Sequence, residues 1–178
     1  RSTGRTFKRS HDAAASGVFA IADILNPRKL KNSARECCFA PGFAGVLPVF
    51  VSIDGTGSMD QVPYHLQEEL PKFIELVTEQ DVSDHPNVLF TCHDDELVLP
   101  PDGVFQMSQF EAGAPELLQA LNEMVIPHRG GANRGEAYHL SFYAAAFHTR
   151  LEPYERDGTK GFFFMIGLPA RSTSLPSW

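Results

Sequence analysis

Oxygen-bearing side chains alternate with glycines just after an apolar run in the stretch VFVSIDGTGSMDQ. These side chains are Asp54, Thr56 and Ser58, and alternate side chains of an extended segment point to the same side. The spacing therefore predicts that one carboxylate and two hydroxyls converge. Such hard oxygen donors suit Mg²⁺, or else Mn²⁺ or Ca²⁺, and the intervening glycines let the backbone bend sharply.

The same stretch has an alternative interpretation as a glycine-rich turn in front of a helix. Ser58 or Asp60 would then cap that helix, because serine and aspartate oxygens accept hydrogen bonds from the free N–H groups at a helix start. Capping and metal binding are compatible, so both interpretations stay open. One carboxylate with neutral hydroxyls is an incomplete set of ligands for a divalent ion, which predicts weak binding unless another acid contributes.

The elements that must position these residues alternate between strands and helices. Continuous apolar runs predict three strands buried on both faces: GVLPVFVSI, NVLFTC and GFFFMIGL. Apolar residues at helical spacing predict two helices, YHLQEELPKFIELVTEQ and APELLQALNEMV. A third helix is predicted over GEAYHLSFYAAAFHT, whose small residues Ala144–Ala146 suit close packing. The alternation predicts an α/β fold with a mainly parallel central sheet, helices on both faces and Val49–Ile53 as a central strand. Ligands of such sheets bind at the carboxyl ends of the strands, where Asp54 lies.

Two prolines and one ambiguous segment add detail to this pattern. Pro71 is predicted to kink or split the first helix, and Pro115 suits the first turn of the second. The segment AAASGVFAIADIL is either a short helix or an added strand, because its periodicity does not decide. The predicted organisation is an N-terminal extension, one folded domain and a disordered tail, at residues 1–24, 25–170 and 171–178.

Length and composition exclude several classes of protein. The 178 residues suit one domain with a sizeable core, and the net charge of −7 argues against a nucleic-acid binder. No apolar run is long enough to span a bilayer, so no membrane partner is expected. The cysteines are Cys37, Cys38 and Cys92, and this odd number with an adjacent pair is a poor disulfide framework. A reducing, cytoplasmic location is therefore predicted.

The stretch DGTGSM after an apolar strand resembles the metal-ion-dependent adhesion site (MIDAS) of von Willebrand factor A (vWA) domains, whose pattern is D-x-S/T-x-S. Further blocks occur in an order and with a spacing similar to a group of little-characterised bacterial vWA proteins: LNPRKLKNSARECC, VLFTCHDDE, MSQFE, GGANRGEAYHLSFYAAAFHT and KGFFFMIG. The resemblance covers residues 25–167. It implies a three-layer, Rossmann-like fold and a metal-dependent module that binds an acidic residue of a protein ligand without covalent chemistry.

The resemblance assigns residues to two of the metal loops of this family. Asp54, Thr56 and Ser58 match the first loop. At the second loop, where many vWA domains have a threonine, the sequence GGANRGE has Ala132, and the nearest oxygen donors are Asn133 and Glu136. We expect these two to supply the second-loop ligand. The alternative for Glu136 is an acid in the first turn of the following helix, favoured by the helix dipole.

The resemblance also concerns the ends of the second and third strands. In CHDDEL, Asp94 or Asp95 is implied to lie near the metal without ligating it, whereas a solvated turn is the alternative. At the third loop, Leu168 occupies the position where the family usually has an aspartate. Leu168 has no donor atom in its side chain, so the site is expected to bind metal weakly.

Two other functions stay open. A scaffold with a degraded metal site would explain Ala132 and Leu168. A phosphatase-like hydrolase is suggested by SIDGTG, which resembles the DxDGT motif of the haloacid-dehalogenase class, with Ser52 in place of the nucleophilic aspartate. Serine without a general base is a poor nucleophile, and no other nucleophile stands in a convincing context. The sequence therefore predicts a protein that is not an enzyme.

Overall fold

The computed structural model describes residues 9–10, 13, 16, 19–29, 34–39, 42, 45–79, 85–95, 103–127 and 137–167. In this part of the chain the strands are β1 (Arg35–Cys37), β2 (Leu47–Asp54), β3 (Pro86–His93), β4 (Phe105–Met107), β5 (Thr149–Leu151) and β6 (Phe162–Ile166). The α-helices are α1 (Val62–Glu79), α2 (Ala114–Glu123), α3 (Tyr138–Phe147) and α4 (Glu152–Asp157). Short 3₁₀ turns lie at Asp23–Leu25, Pro27–Lys29 and Gly57–Met59.

The main sheet of the described residues has four strands in the order β4-β3-β2-β6. Strand β2 runs parallel to both β3 and β6, and β4 is antiparallel to β3. In the register, Ile53 pairs with Cys92 on one side and with Ile166 on the other. The prediction that Val49–Ile53 is a central strand of a mainly parallel sheet is confirmed. Every residue of β2 after Leu47 is buried, which agrees with the strand predicted to be buried on both faces.

Alternate residues of β2 pack on opposite faces of this sheet. Val49, Val51 and Ile53 belong to one apolar cluster, which also contains Leu70 of α1 and Leu117 of α2. On the other face, Phe50 and Leu89 cluster with Ala144 of α3. Side chains on a strand point alternately to the two faces, so β2 contributes apolar side chains to both clusters. The described part of the chain is thus a mixed α/β protein with a mostly parallel sheet.

Strand β1 and the N-terminal extension are held against the rest of the described fold by polar contacts. Arg35 in β1 donates hydrogen bonds from Nη2 to the carbonyl oxygens of Ile24 and Met107, at 2.9 Å each. Burial lowers the pKa of Arg35 to about 10, and the nearby Glu111 opposes that shift. In the N-terminal extension, the buried Ser10 hydroxyl accepts a hydrogen bond from the Ile126 N–H at 3.0 Å.

The structure agrees with some of the predicted elements and differs from others. Helix α1 passes through Pro71 as one element, so the predicted split does not occur. Pro115 lies in the first turn of α2, as predicted. The short strands β1, β4 and β5 were not predicted. In the described part of the chain, no helix combines the length and apolar character needed to cross a bilayer.

Candidate metal-binding site

Asp54 is the last residue of β2, and its carboxylate is fully buried. The Thr56 N–H donates to its Oδ1 atom at 2.9 Å. The Tyr138 hydroxyl donates to its Oδ2 atom at 2.5 Å. Both oxygens of a buried carboxylate are therefore engaged by protein donors, which offsets the cost of removing its charge from water.

The two hydroxyls predicted to converge beside Asp54 do lie together. Thr56 Oγ1 and Ser58 Oγ are 3.0 Å apart, with Thr56 fully buried and Ser58 exposed. Thr56 occupies the N-cap position of the Gly57–Met59 turn, yet its side chain makes no capping hydrogen bond. The two hydroxyls therefore form a pair that opens to solvent at Ser58, and the backbone of Thr56 bonds to Asp54. The extended segment predicted over residues 54–58 is wrong, because β2 ends at Asp54 and Ser58 lies in the 3₁₀ turn.

At Gly55 the backbone lies so close to strand β3 that there is little space for a side chain. Its N–H donates to the carbonyl oxygen of His93 at 2.8 Å. A Cβ atom at Gly55 would lie 2.8 Å from Cys92 Sγ and 3.3 Å from Pro127 Cδ. Real Cβ atoms do not approach other atoms so closely, so glycine is required here by space.

Asp94 and Asp95 are both buried at the carboxyl end of β3, so these two acids are not solvated as the alternative interpretation expects. The Asp95 N–H donates to Asp94 Oδ1 at 2.6 Å, and the Ala137 N–H donates to the Asp94 carbonyl oxygen at 3.2 Å. Burial raises the pKa of the Cys92 thiol well above its usual value, and Asp94 and Asp54 raise it further. Two carboxylates therefore act on the same thiol at this edge of the sheet.

Tyr138 was not predicted as a site residue, yet it joins the ends of three strands. Its hydroxyl bonds to Asp54 at the end of β2, and its ring packs edge-on against His93 at the end of β3, with 4.6 Å between ring centroids. After β6, a Cβ atom at Gly167 would lie 2.6 Å from the Tyr138 hydroxyl oxygen. The only sequence signal for Tyr138 is its position after a glycine-rich loop, at the start of a predicted helix.

A buried polar cluster lies behind the site, between the sheet and α3. Ser52 Oγ donates to Ser141 Oγ at 2.8 Å, and His93 Nδ1 lies 3.4 Å from Ser52 Oγ and 3.3 Å from Ser141 Oγ. Burial lowers the pKa of His93 to about 4, with Asp54 opposing and His139 adding to the shift. Ser52 is fully buried and already bonded. This placement weighs against Ser52 as a nucleophile.

The remaining candidates, Asn133 and Glu136, lie outside the described residues, as do Ala132 and Leu168. Within the described ranges, no three His, Cys, Asp or Glu side chains lie together as in a metal site built from those ligands. A metal site at Asp54 would consequently depend on the Thr56 and Ser58 hydroxyls and on ligands from elsewhere.

Comparisons of the chain with protein-family models, with curated proteins and with solved structures gave no match. The side chains at the carboxyl ends of β2, β3 and β6 are therefore the features from which a function is inferred.

Proposed function

We propose that this chain is a metal-dependent protein-binding module of the vWA type, which holds an acidic residue of a partner protein without covalent chemistry. The observation that carries the proposal is the pair of Thr56 and Ser58 hydroxyls directly after Asp54, whose carboxylate accepts a hydrogen bond from the Thr56 N–H at the carboxyl end of a central parallel strand. Open α/β sheets bind their ligands at this edge. The donors are the hard oxygens that Mg²⁺ and Mn²⁺ prefer.

In this proposal, Thr56 and Ser58 ligate the ion through their hydroxyls, and Asp54 supplies negative charge directly or through water. A carboxylate offers about four lone-pair positions, so the two hydrogen bonds to Asp54 leave room for an ion. A bound divalent ion would supply the positive centre that accepts a partner's carboxylate. Asn133 or Glu136 would complete the protein ligands. Asp94 and Asp95 are buried acids that would favour a cation nearby.

The proposed architecture is the three-layer vWA fold. It is supported by a mainly parallel sheet with an antiparallel edge strand and by apolar clusters on both faces of β2. The net charge of −7 also bears on the partner, since an acidic ligand is repelled by an acidic protein unless a cation intervenes. A cytoplasmic location belongs to the same proposal, and the free thiols of Cys37, Cys38 and Cys92 agree with it.

A scaffold with a degraded metal site is the second candidate, and one observation favours it. The Thr56 N–H and the Tyr138 hydroxyl already hold both oxygens of Asp54, so the carboxylate is satisfied without an ion. A scaffold would keep this arrangement for stability alone. The two functions therefore differ in whether Asp54 and the two hydroxyls bind a cation.

Calorimetric titration with Mg²⁺ and Mn²⁺ separates them. Asp54→Asn is a better variant than Asp54→Ala, because alanine leaves the Tyr138 hydroxyl without its acceptor. We expect Asp54→Asn to weaken binding about tenfold or more through the lost charge. Asp60→Asn is the matched control, since Asp60 is an exposed acid of the same loop and should leave the affinity unchanged.

If the wild-type protein binds neither Mg²⁺ nor Mn²⁺, the proposal of a metal-dependent binding module is wrong and the scaffold is preferred. A phosphatase assay with an aryl phosphate addresses the hydrolase. Turnover that is abolished by Ser52→Ala would contradict both the module and the scaffold.

A further inference from the structure

The Tyr138 side chain packs at the point where the adjacent parallel strands β3, β2 and β6 end. His93 supports one side of its ring, and the missing side chain of Gly167 gives space for its hydroxyl end. The hydroxyl reaches Asp54 over a sequence separation of 84 residues. A side chain held by packing on two strands and hydrogen-bonded to the third has little freedom of orientation.

The carboxylate of Asp54 depends on this tyrosine for its orientation. The Thr56 N–H fixes Oδ1, but one hydrogen bond alone lets a carboxylate plane rotate about its Cβ–Cγ bond. The bond from Tyr138 fixes Oδ2 and thereby the plane. Groups that orient a metal ligand commonly change metal affinity by about 10–100-fold when they are removed.

We propose that Tyr138 is a positioning residue for divalent-ion binding at Asp54, where its phenol fixes the plane of the carboxylate. This inference rests on the proposed function. The phenol uses one lone pair of Oδ2 and leaves the other, so it orients the ligand without blocking it. A cation at Asp54 draws electron density from the carboxylate, which weakens the hydrogen bond from Tyr138. The ultraviolet absorption of this tyrosine therefore changes when the ion binds.

The test combines Mn²⁺ calorimetry with a tyrosine difference spectrum recorded during the same titration. Tyr138→Phe removes the hydroxyl and keeps the ring, and we expect about tenfold weaker Mn²⁺ binding and no spectral change. Tyr143→Phe is the matched control, because Tyr143 lies on the same helix with 54% of its surface exposed. The control should keep both the wild-type affinity and the spectral change.

A second variant displaces the Tyr138 hydroxyl without removing it. Gly167→Ala keeps the tyrosine but displaces its hydroxyl group, since the new Cβ would lie 2.6 Å from the hydroxyl oxygen. We expect this variant also to bind Mn²⁺ more weakly. Thermal unfolding followed by circular dichroism shows which variants are folded, and Gly167→Ala decides if Tyr138→Phe does not fold.

The outcomes are distinguishable from those of the proposed function. A wild-type protein that binds no Mn²⁺ overturns the binding module and this inference together. A wild-type protein that binds Mn²⁺, with Tyr138→Phe or the deciding Gly167→Ala variant equal to it in affinity, overturns the role of Tyr138 alone. A spectral change that survives in Tyr138→Phe likewise overturns it. Weaker binding in the variants with loss of the spectral change supports it.

Discussion

The Gly55 N–H donates to the carbonyl oxygen of His93 at 2.8 Å, one residue beyond the last paired position of β2 and β3, which is Asp54 opposite His93. The chain therefore stays against β3 while it begins its turn. This close approach holds the start of the Thr56–Ser58 segment at the edge of the sheet. It also leaves no space for a side chain at position 55.

Substitution of Gly55 by alanine should destabilise the fold. The new Cβ would meet Cys92 Sγ at 2.8 Å and the His93 carbonyl oxygen at 3.2 Å, and backbone cannot move aside easily. Overpacking of this kind costs about 1–3 kcal/mol, which urea unfolding would measure as a lower free energy of unfolding. Gly45→Ala is the control, because a Cβ at Gly45 meets nothing within 4 Å. Equal stability of the two variants would show that position 55 is not crowded.

Acid should destabilise the protein through His93. Burial lowers its pKa from 6.5 to about 4 in the folded chain, with the charge of Asp54 opposing the shift and that of His139 adding to it. The unfolded chain binds a proton below pH 6.5 while the folded chain does not, so the contribution is complete above pH 6.5 and lost as the pH falls towards 4. The full loss is about 3 kcal/mol.

His93→Asn isolates this effect, because an amide can keep the polar contact with Ser52 and Ser141 but does not titrate. The free energy of unfolding should fall less between neutral pH and pH 4 in the variant than in the wild type. The other acids titrate in both proteins and cancel in the comparison. Parallel pH profiles would mean that His93 titrates alike in the folded and unfolded chains.

The three thiols should differ in reactivity. Cys38 is exposed, whereas Cys37 and Cys92 are buried. Burial, followed by the neighbouring Cys38, raises the pKa of Cys37 to about 12. Because the thiolate is the reactive form, an aromatic disulfide reagent at mildly alkaline pH should modify Cys38 rapidly in the native protein and the other two only after unfolding. Cys38→Ser should abolish the rapid phase, and a rapid phase that remains would show that a buried thiol is accessible.

Two positions outside the described residues test the charge requirement of the metal site. Glu136→Gln should weaken Mn²⁺ binding, because it removes a charge that a divalent ion needs more than another neutral oxygen. Leu168→Asp should strengthen it by restoring an acid at the third loop. Calorimetry of both variants against the wild type gives the comparison. If neither substitution changes the affinity, the residues around Asp54 are not a working metal site and the scaffold is preferred.

Prediction of the elements succeeded where a segment's own pattern is strong. Strands β2, β3 and β6 are apolar runs, and amphipathic spacing identified helices α1 and α2. The predicted burial of β6 on both faces is wrong, because β6 is an edge strand of the described sheet and Phe162 and Phe164 are exposed. The three-residue strands β1, β4 and β5 show no comparable pattern, since a segment of that length has no measurable period. Their partners, not their residues, make them strands. Helix α1 also depends on more than its local sequence. It continues through Pro71 because the packing of a long helix outweighs the local preference of proline for a break.

That oxygen donors follow the end of β2 was determined by the sequence alone, because Asp54, Thr56 and Ser58 are neighbours in the chain. The pairing of the two hydroxyls was decided by the 3₁₀ turn at Gly57–Met59, since β2 ends at Asp54 and the segment is not extended throughout. The partners of Asp54 were decided by the tertiary structure. Tyr138, His93 and Gly167 meet there only because β2, β3 and β6 are adjacent and parallel, and strand order is not written in any local pattern. Burial of Asp94 and Asp95 has the same origin, since a turn looks alike in the sequence whether neighbouring elements cover it or water does.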